Sequence, residues 1–436
     1  MKSDDNKNRE QNLVLQAWKD SKFIGTAILY TGCGKTRIGT IAASEFIRRD
    51  PNEKALVVVP TTNLRDNEWE KSFTDWGYQR ERPNVQIECI QSAYKITGKH
   101  YNTIVIDEYH SALTQCYIDV LKNNTYDRLL CLTATLNEDK IEFAKQFAPV
   151  IWETNRERAI SLKLVSESMI FNFGVNLTES EQIAYDHING EFTKYETELG
   201  GNMRAFENSG RFLRLKGINY SGSNMRVYKP ENRVIYATDV NDITIPSNLC
   251  RELTSAEVMA VKTKIHASNM YWEMMRKRRA TVIIAQNKIG IVKALCERYS
   301  DRKGIIFSES IPFADSICEA IGDKCRVYHS KVTPPRMKTQ ALLDFSDNTA
   351  QYLSSVKALN AGFDVPECSL GIGTSGDSKK LSYVQRNGRI SRYIDGKVSY
   401  YFNLYCLGTQ ELNWVRNGTK LMQPKWVTSI EEAPIN

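Results

Sequence analysis

From residue 25 to about 149, short apolar runs alternate with longer amphipathic stretches. "TAILY", "ALVVVP", "QIECI", "NTIVIDE" and "LLCLTAT" are aliphatic and β-branched without polar alternation, the pattern of strands covered on both faces. Residues 36–49 and 63–76 carry apolar positions at helical spacing between them. Buried strands joined by helices predict a parallel sheet with helical crossovers. A second series begins near residue 303 with "KGIIFSES", "CRVYHS", "QYLSSV", "SLGIGTS" and "VSYYFNLY", and 312–321 is one of its helical connections. The fold class expected is α/β, two parallel-sheet domains in tandem.

Between them, 154–300 has a different texture. Its flanks read as helices, "TESEQIAYDHINGEFTKYETEL" with Thr178 as N-cap and Glu181 at the capping-box position, and "SAEVMAVKTKIHASNMYWEMMRKRRATVIIAQNKIGIVKALCERY". Residues 201–245 are rich in Asn, Gly, Arg and Tyr and hold the alternating run "RVIYATDV", which predicts loops with one or two hairpins. The organisation expected is therefore 1–153, an intervening helical and hairpin region at 154–300, and 301–436.

A chain of 436 residues exceeds what one core usually organises, and its 42% hydrophobic content supplies two. No apolar run reaches membrane-span length, and "MKSDDNKNREQ" lacks the hydrophobic stretch of a secretory signal, so a cytoplasmic protein with no membrane partner is expected. Ten cysteines without a CxxC pair argue against a zinc site. A net charge of +7 permits a polyanionic partner without specifying one.

The chemistry concentrates in a few places. In "LYTGCGKTRIGT", Thr31, Gly32, Cys33 and Gly34 lie between a strand and a helix, so the glycines can fold the backbone around an anion at a helix start. Lys35 would neutralise terminal phosphates and Thr36 would ligate magnesium. Leu29 stands where the general pattern has its first glycine, and a glycine turn with a chance lysine is the competing reading. In "NTIVIDEYH", Asp107 and Glu108 end a buried strand, where Asp107 suits magnesium and Glu108 an attacking water. His110 could reach toward the opposite domain. "LTATL" adds hydroxyls at Thr133 and Thr135, an ordinary strand end when read alone. In "YVQRNGRISRY", Gln385 opens a cluster whose Arg386, Arg389 and Arg392 recur every three residues, sharing one broad helical face. A solvated basic face would look the same, but planar guanidinium groups from a second domain supply the cations a transferring phosphate needs.

The order "TGCGKT", "VVVPTTNL", "VIDEYH", "LTATL", "GIIFSES", "SVKALNAGFDVP" and "QRNGRISR" resembles motifs I to VI of superfamily 2 helicases in the DExH branch. "LTESEQIAY", "AQNKIGIVKAL" and "KALNAGFDVPECSLGI" are similar to the RecG, UvsW and XPB-like group of double-strand translocases, and within it the chain resembles a phage recombination helicase of the UvsW kind. The resemblance implies two RecA-like domains and an ATP-dependent, Mg2+-dependent motor on DNA. It implies Lys35 and Thr36 on phosphates and magnesium, Asp107 on magnesium, Glu108 on the catalytic water, and Arg389 with Arg392 on the γ-phosphate. Gln11 in "REQNLVLQAW" would read adenine, Gln385 would belong to the same nucleotide site, and Gly362 and Asp364 would link nucleotide to nucleic acid. Pro60, Thr61 and Ser308 match positions whose surroundings grip the phosphodiester backbone of the tracked strand. Three departures stand out: Tyr30 where a small residue is common, Tyr109 inside the acid box, and no accessory domain before Gln11.

The arginines of the middle region, among them Arg211, Arg214 and Arg226, interleave with Phe206, Phe212, Tyr220 and Tyr228, a combination suited to phosphate contact plus base stacking. A solvated insertion with surface arginines competes with it. Forked, branched or partly duplex DNA is the expected partner, and no protein partner is assigned. An RNA helicase, the motor half of a restriction system and an ATP-gated clamp share these motifs.

Overall fold

A computed structural model describes residues 2–114, 117–136, 138–202, 218–219, 226–227, 236–237, 243–244, 255–356, 365, 367–377 and 380–434. The first lobe is a six-stranded, all-parallel sheet. Its strands are β1 (Ile24–Leu29), β2 (Ala55–Val59), β3 (Val85–Cys89), β4 (His100–Ile106), β5 (Thr125–Thr133) and β6 (Val150–Thr154), in the order β3-β2-β4-β5-β1-β6. The unbroken apolar runs arise because both faces are covered. Val57, Val59, Val105, Leu130 and Leu132 pack into one core, and Leu56, Val58, Ile104, Ile106 and Leu129 into the other.

The second lobe begins with β7 (Glu167–Val175). The middle of the chain contributes the two-residue strands β8 (Ile218–Asn219), β9 (Arg226–Val227), β10 (Tyr236–Ala237) and β11 (Ile243–Thr244). Then come β12 (Gly304–Ser308), β13 (Cys325–Tyr328), β14 (Tyr352–Val356), β15 (Leu370–Gly373), β16 (Val398–Cys406) and β17 (Lys425–Val427). The seven-stranded sheet is parallel throughout, in the order β13-β14-β12-β15-β16-β7-β17.

This corrects the expected boundaries of 154–300. Strand β7 pairs with β16 over nine positions, from Glu167 with Val398 to Val175 with Cys406. The helix Asn287–Arg298 places Val292, Leu295 and Cys296 in the same core as Phe171 and Phe173. Contacts divide the chain into one unit of Met1–Val175 with Lys288–Asn436 and another of Asn176–Asn287. Strand β7 is masked in the sequence by polar residues satisfied from afar: buried Asn172 donates to Thr419 Oγ1 and accepts from Asn403 Nδ2, both at 3.0 Å.

The Asn176–Asn287 unit is built on the helices Glu179–Leu199 and Ser255–Ile283, which bury Phe192, Leu199, Ala267, Tyr271 and Met274 together. Thr178 and Glu181 form the expected capping box. Two short antiparallel pairs, β8 with β9 and β10 with β11, lie where hairpins were expected. Arg278 of the "RKRR" run sits 3.8 Å over Phe192 and donates to Asn189 Oδ1, while Lys277 pairs with Glu273, so both of these side chains are engaged inside their own unit. Arg211, Arg214 and the side chain of Arg226 lie outside the described residues. Among the described residues no helix is long and apolar enough to cross a membrane.

One ion pair anchors the start of the returning chain. Lys288 and Glu411 have fully buried side chains, with Lys288 Nζ at 2.8 and 3.0 Å from the carboxylate oxygens. Glu411 also accepts from the backbone N–H groups of Gly376 and Cys406, each at 2.7 Å. Removing one member strands the other's charge in the core. Lys288→Met should therefore lower unfolding stability by about 3–5 kcal/mol in urea titration; an unmoved midpoint would contradict the role given to this pair.

Candidate active site

Strand β1 ends at buried Leu29 and the chain turns through a glycine loop. Gly32 and Gly34 have φ of 95° and 86°, a region that disfavours side chains. A Cβ on Gly34 would stand 2.1 Å from Gln11 Nε2, so this position has no room for one. Gly34 also precedes the helix Lys35–Arg49 without a side-chain cap, which leaves the first-turn N–H groups available to an anion. Cys33 is buried, and burial pushes its thiol up to about 11, so it is a neutral loop residue.

Gln11 is committed to this loop. Its Nε2 donates to the Cys33 carbonyl at 2.9 Å and its Oε1 accepts from Arg37 at 2.5 Å. Arg37 also donates to Asn8 and lies 4.2 Å over the Trp76 ring. Gln11, Arg37 and Trp76 line a pocket of about 580 Å3 that shares Gly34, Thr36, Arg389 and Arg392 with the phosphate cleft.

The acid pair follows β4. Asp107 is buried; its Oδ2 accepts from Trp69 Nε1 at 3.2 Å and its Oδ1 from the Glu108 N–H at 2.9 Å. Burial, reinforced by the neighbouring Glu108 charge, raises Asp107 to about 6 even with Lys35 nearby. Trp69 closes a π-helical turn, Leu64–Trp69, and its ring occupies the space over Gly39, where a Cβ would come within 2.5 Å of it. Nothing in the sequence marked Trp69, 38 residues before its partner.

Glu108 adopts a left-handed conformation, φ 49°, and its carboxylate stands 3.9 Å from Lys35 Nζ and 3.4 Å from His110 Nδ1. His110 was expected to reach toward the opposite domain. It instead meets Thr133 Oγ1 at 3.0 Å in its own lobe, and Thr133 donates on to the Thr135 carbonyl. Burial lowers the His110 pKa, favouring neutral imidazole. Tyr109 is a core residue of the first lobe, beneath the acids.

The second lobe presents the helix Lys380–Ile390. Gln385, Gly388, Arg389 and Arg392 face Thr31, Gly32, Gly34, Lys35, Thr36, Asp107, Glu108 and His110 across a cleft of about 520 Å3. Arg386 does not join them. Steps of three residues drift about 60° around a helix, so Arg386 turns inward, 6% exposed, beside Glu309 at 3.8 Å and over Phe307. Arg392 lies past the helix end, in an antiparallel bridge with Val165. The shared arginine face expected from spacing is thus divided between core and cleft.

Pro60 and Thr61 line the same cleft, and Thr61 Oγ1 accepts from Leu64 N at the start of the π-helical turn. Ser308 is 1% exposed and its hydroxyl lies 3.2 Å from Thr374 Oγ1, so its side chain is an interior link. Gly362 and Asp364 lie outside the described residues. Among the described residues no group of three or more His, Cys, Asp or Glu side chains could hold a metal. The hydroxyl of Thr36 and the carboxylate of Asp107 are hard oxygen donors that fit magnesium shared with phosphate oxygens.

Two family models match this chain: "Type III restriction enzyme, res subunit" over residues 6–138 and "Helicase conserved C-terminal domain" over 287–394. They cover the phosphate loop and acid pair in one lobe and the arginine helix in the other. The chain is a superfamily 2 helicase. The helicase is 20% identical over 413 residues to "DNA 3'-5' translocase XPB2" of Sulfurisphaera tokodaii, covering 91% of this chain and 81% of that one. Its fold is that of S. cerevisiae Dbp5, solved bound to RNA and ADP BeF3, at 12% identity with TM-score 0.52 over 93% of this chain and 85% of that one. The Pyrococcus furiosus Hef helicase domain is similar at 16% identity, TM-score 0.49, over 93% and 96%. The helicase domains make the chain a nucleic-acid-dependent ATPase.

Asp107 carries a stability signature. Its folded pKa lies above the ordinary aspartate value of 3.8, so ionising it costs the fold free energy that is complete above about 6 and fades as pH falls toward 4. With EDTA present and no nucleotide, Asp107→Asn should raise the melting temperature at pH 7.5 and lose most of that gain near pH 4. An equal gain at both would show that burial of charge is not the cause.

Proposed function

We propose that this helicase is an ATP-driven DNA translocase acting on forked, branched or partly duplex DNA, in branch migration, recombination or repair. The observation that carries it is the cleft itself: Lys35, Thr36 and Glu108 on one lobe face Arg389 and Arg392 on the other. The glycine loop and helix start bind the phosphates of ATP, with Lys35 beside the terminal ones. Glu108, held between Lys35 and His110, orients and deprotonates the attacking water. Arg389 and Arg392 meet the charge that develops on the transferring phosphoryl group. Magnesium, held by Thr36 and Asp107, would spread the charge of the phosphate oxygens. Loss of the γ-phosphate removes what the arginines bind, so each hydrolysis event loosens one lobe from the other.

DNA as the track is supported by the relative named a DNA 3'-5' translocase and by the resemblance to the RecG, UvsW and XPB-like group, phage recombination helicases among them. Pro60 and Thr61 line the same cleft as Asp107 and Glu108, which supports reading them as part of a backbone grip. The arginine and aromatic positions of 201–245 are the proposed duplex grip.

ATP turnover measured with matched fork, Holliday-junction, single-strand DNA and RNA ligands should rise most with the branched DNA; equal stimulation by RNA would overturn the assignment of the track. Arg389→Ala should lower turnover roughly a thousandfold, and normal hydrolysis by a Lys35→Ala protein would remove the site. Deleting 203–244 should spare DNA-stimulated turnover while abolishing strand displacement, and undiminished displacement would take the insertion out of the motor.

A further inference from the structure

Tyr30 stands immediately before the phosphate loop, where helicases commonly have a small residue. Its ring is 5% exposed, and its hydroxyl leaves the first lobe to accept from Asn387 Nδ2 at 2.9 Å. Asn387 is fully buried, two positions before Arg389 on the arginine helix. The same amide nitrogen lies 3.0 Å from Ser168 Oγ, and Arg156 donates to both the carbonyl and the hydroxyl of Ser168. One turn earlier on the helix, Thr31 Oγ1 donates to the Val384 carbonyl at 3.2 Å. Gly388 admits this approach, because a Cβ there would be 2.2 Å from Thr31 Oγ1.

We propose that Tyr30 and Asn387 are a positioning pair that sets the register of Arg389 and Arg392 over the phosphate loop. Neither side chain lines the cleft, so neither is a catalytic residue. Apolar packing between the lobes, such as Leu381 and Val384 against the first-lobe core, tolerates sliding by fractions of an ångström. A hydrogen bond does not, since it weakens steeply with distance and angle. Two such bonds, at 384 and 387, fix both the rotation and the translation of this helix relative to residues 30 and 31. Beyond its end, Ser166 donates its hydroxyl to the Arg392 carbonyl and its N–H to the Ser391 carbonyl, which holds the second arginine from the other side. Burial raises the phenol's pKa, so the bridging hydroxyl stays neutral beside Arg156. Misplacing a charge-stabilising group by about 1 Å is enough to cost roughly a hundredfold in rate.

The inference rests on the reading of the cleft as an ATPase site, and its test separates the two. Tyr30→Phe removes one oxygen and keeps the ring. In the full chain with DNA, kcat for ATP should fall roughly ten- to a hundredfold with KM for ATP unchanged and the melting temperature close to that of the parent. Because the pair acts through the arginine, Tyr30→Phe should cause no further loss in the residual single-turnover rate of an Arg389→Ala protein. Asn387→Leu, similar in volume, should reproduce the kcat loss and carries the same readout should Tyr30→Phe not fold. Unchanged kcat in these variants, or a loss that adds in full to that of Arg389→Ala, overturns the pair's role. Normal turnover by Lys35→Ala would instead overturn the site, whatever Tyr30 does.

Discussion

Everything in this motor depends on bringing charge from two separate sheets to bear on one phosphate. The carboxylates and Lys35 belong to the first lobe and the cleft-lining guanidinium groups of Arg389 and Arg392 to the second, so neither lobe holds a complete site. What decides whether they meet productively is the contact of residues 30 and 31 with residues 384–388. That contact is polar where alignment matters and apolar where area matters, with the Tyr30 and Thr31 bonds set beside Leu381 and Val384. A purely greasy interface would hold the lobes together but not in register.

Much of this was legible from the residues. Strands covered on both faces announce themselves as unbroken aliphatic runs, and the glycine loop and acid box sit at strand ends, where a parallel sheet delivers ligands. Illegible were the features that depend on a distant partner. Strand β7 carries Asn172 and Ser168 in the interior because Thr419, Asn403, Asn387 and Arg156 satisfy them, and no local rule foresees that. Arg386 and Arg389 look equivalent in spacing, yet Glu309 and Phe307 draw one of them into the core. Ser308 appears at a strand end like any surface hydroxyl until Thr374 is placed against it.

The acid box shows the same division. Two adjacent carboxylates after a buried strand signal function by their cost, but their division of labour is set by surroundings. Asp107 is buried and held by the Trp69 indole N–H, while Glu108, turned by a left-handed backbone, stands between Lys35 and His110 at the cleft. His110 ties that turn to Thr133 and so links the ends of β4 and β5.

The chain leaves the second sheet at Val175, the end of β7, and its return begins at Lys288. The departing and returning ends are tied together, Asn287 Nδ2 donating to the Asn176 carbonyl at 2.9 Å. A segment with such closely spaced ends behaves as an exchangeable cassette: its length and contents can drift, be replaced or be lost over evolution without rethreading the ladder on either side. The residues that line the phosphate cleft all lie outside this cassette, so the hydrolytic core keeps its geometry whatever the cassette carries.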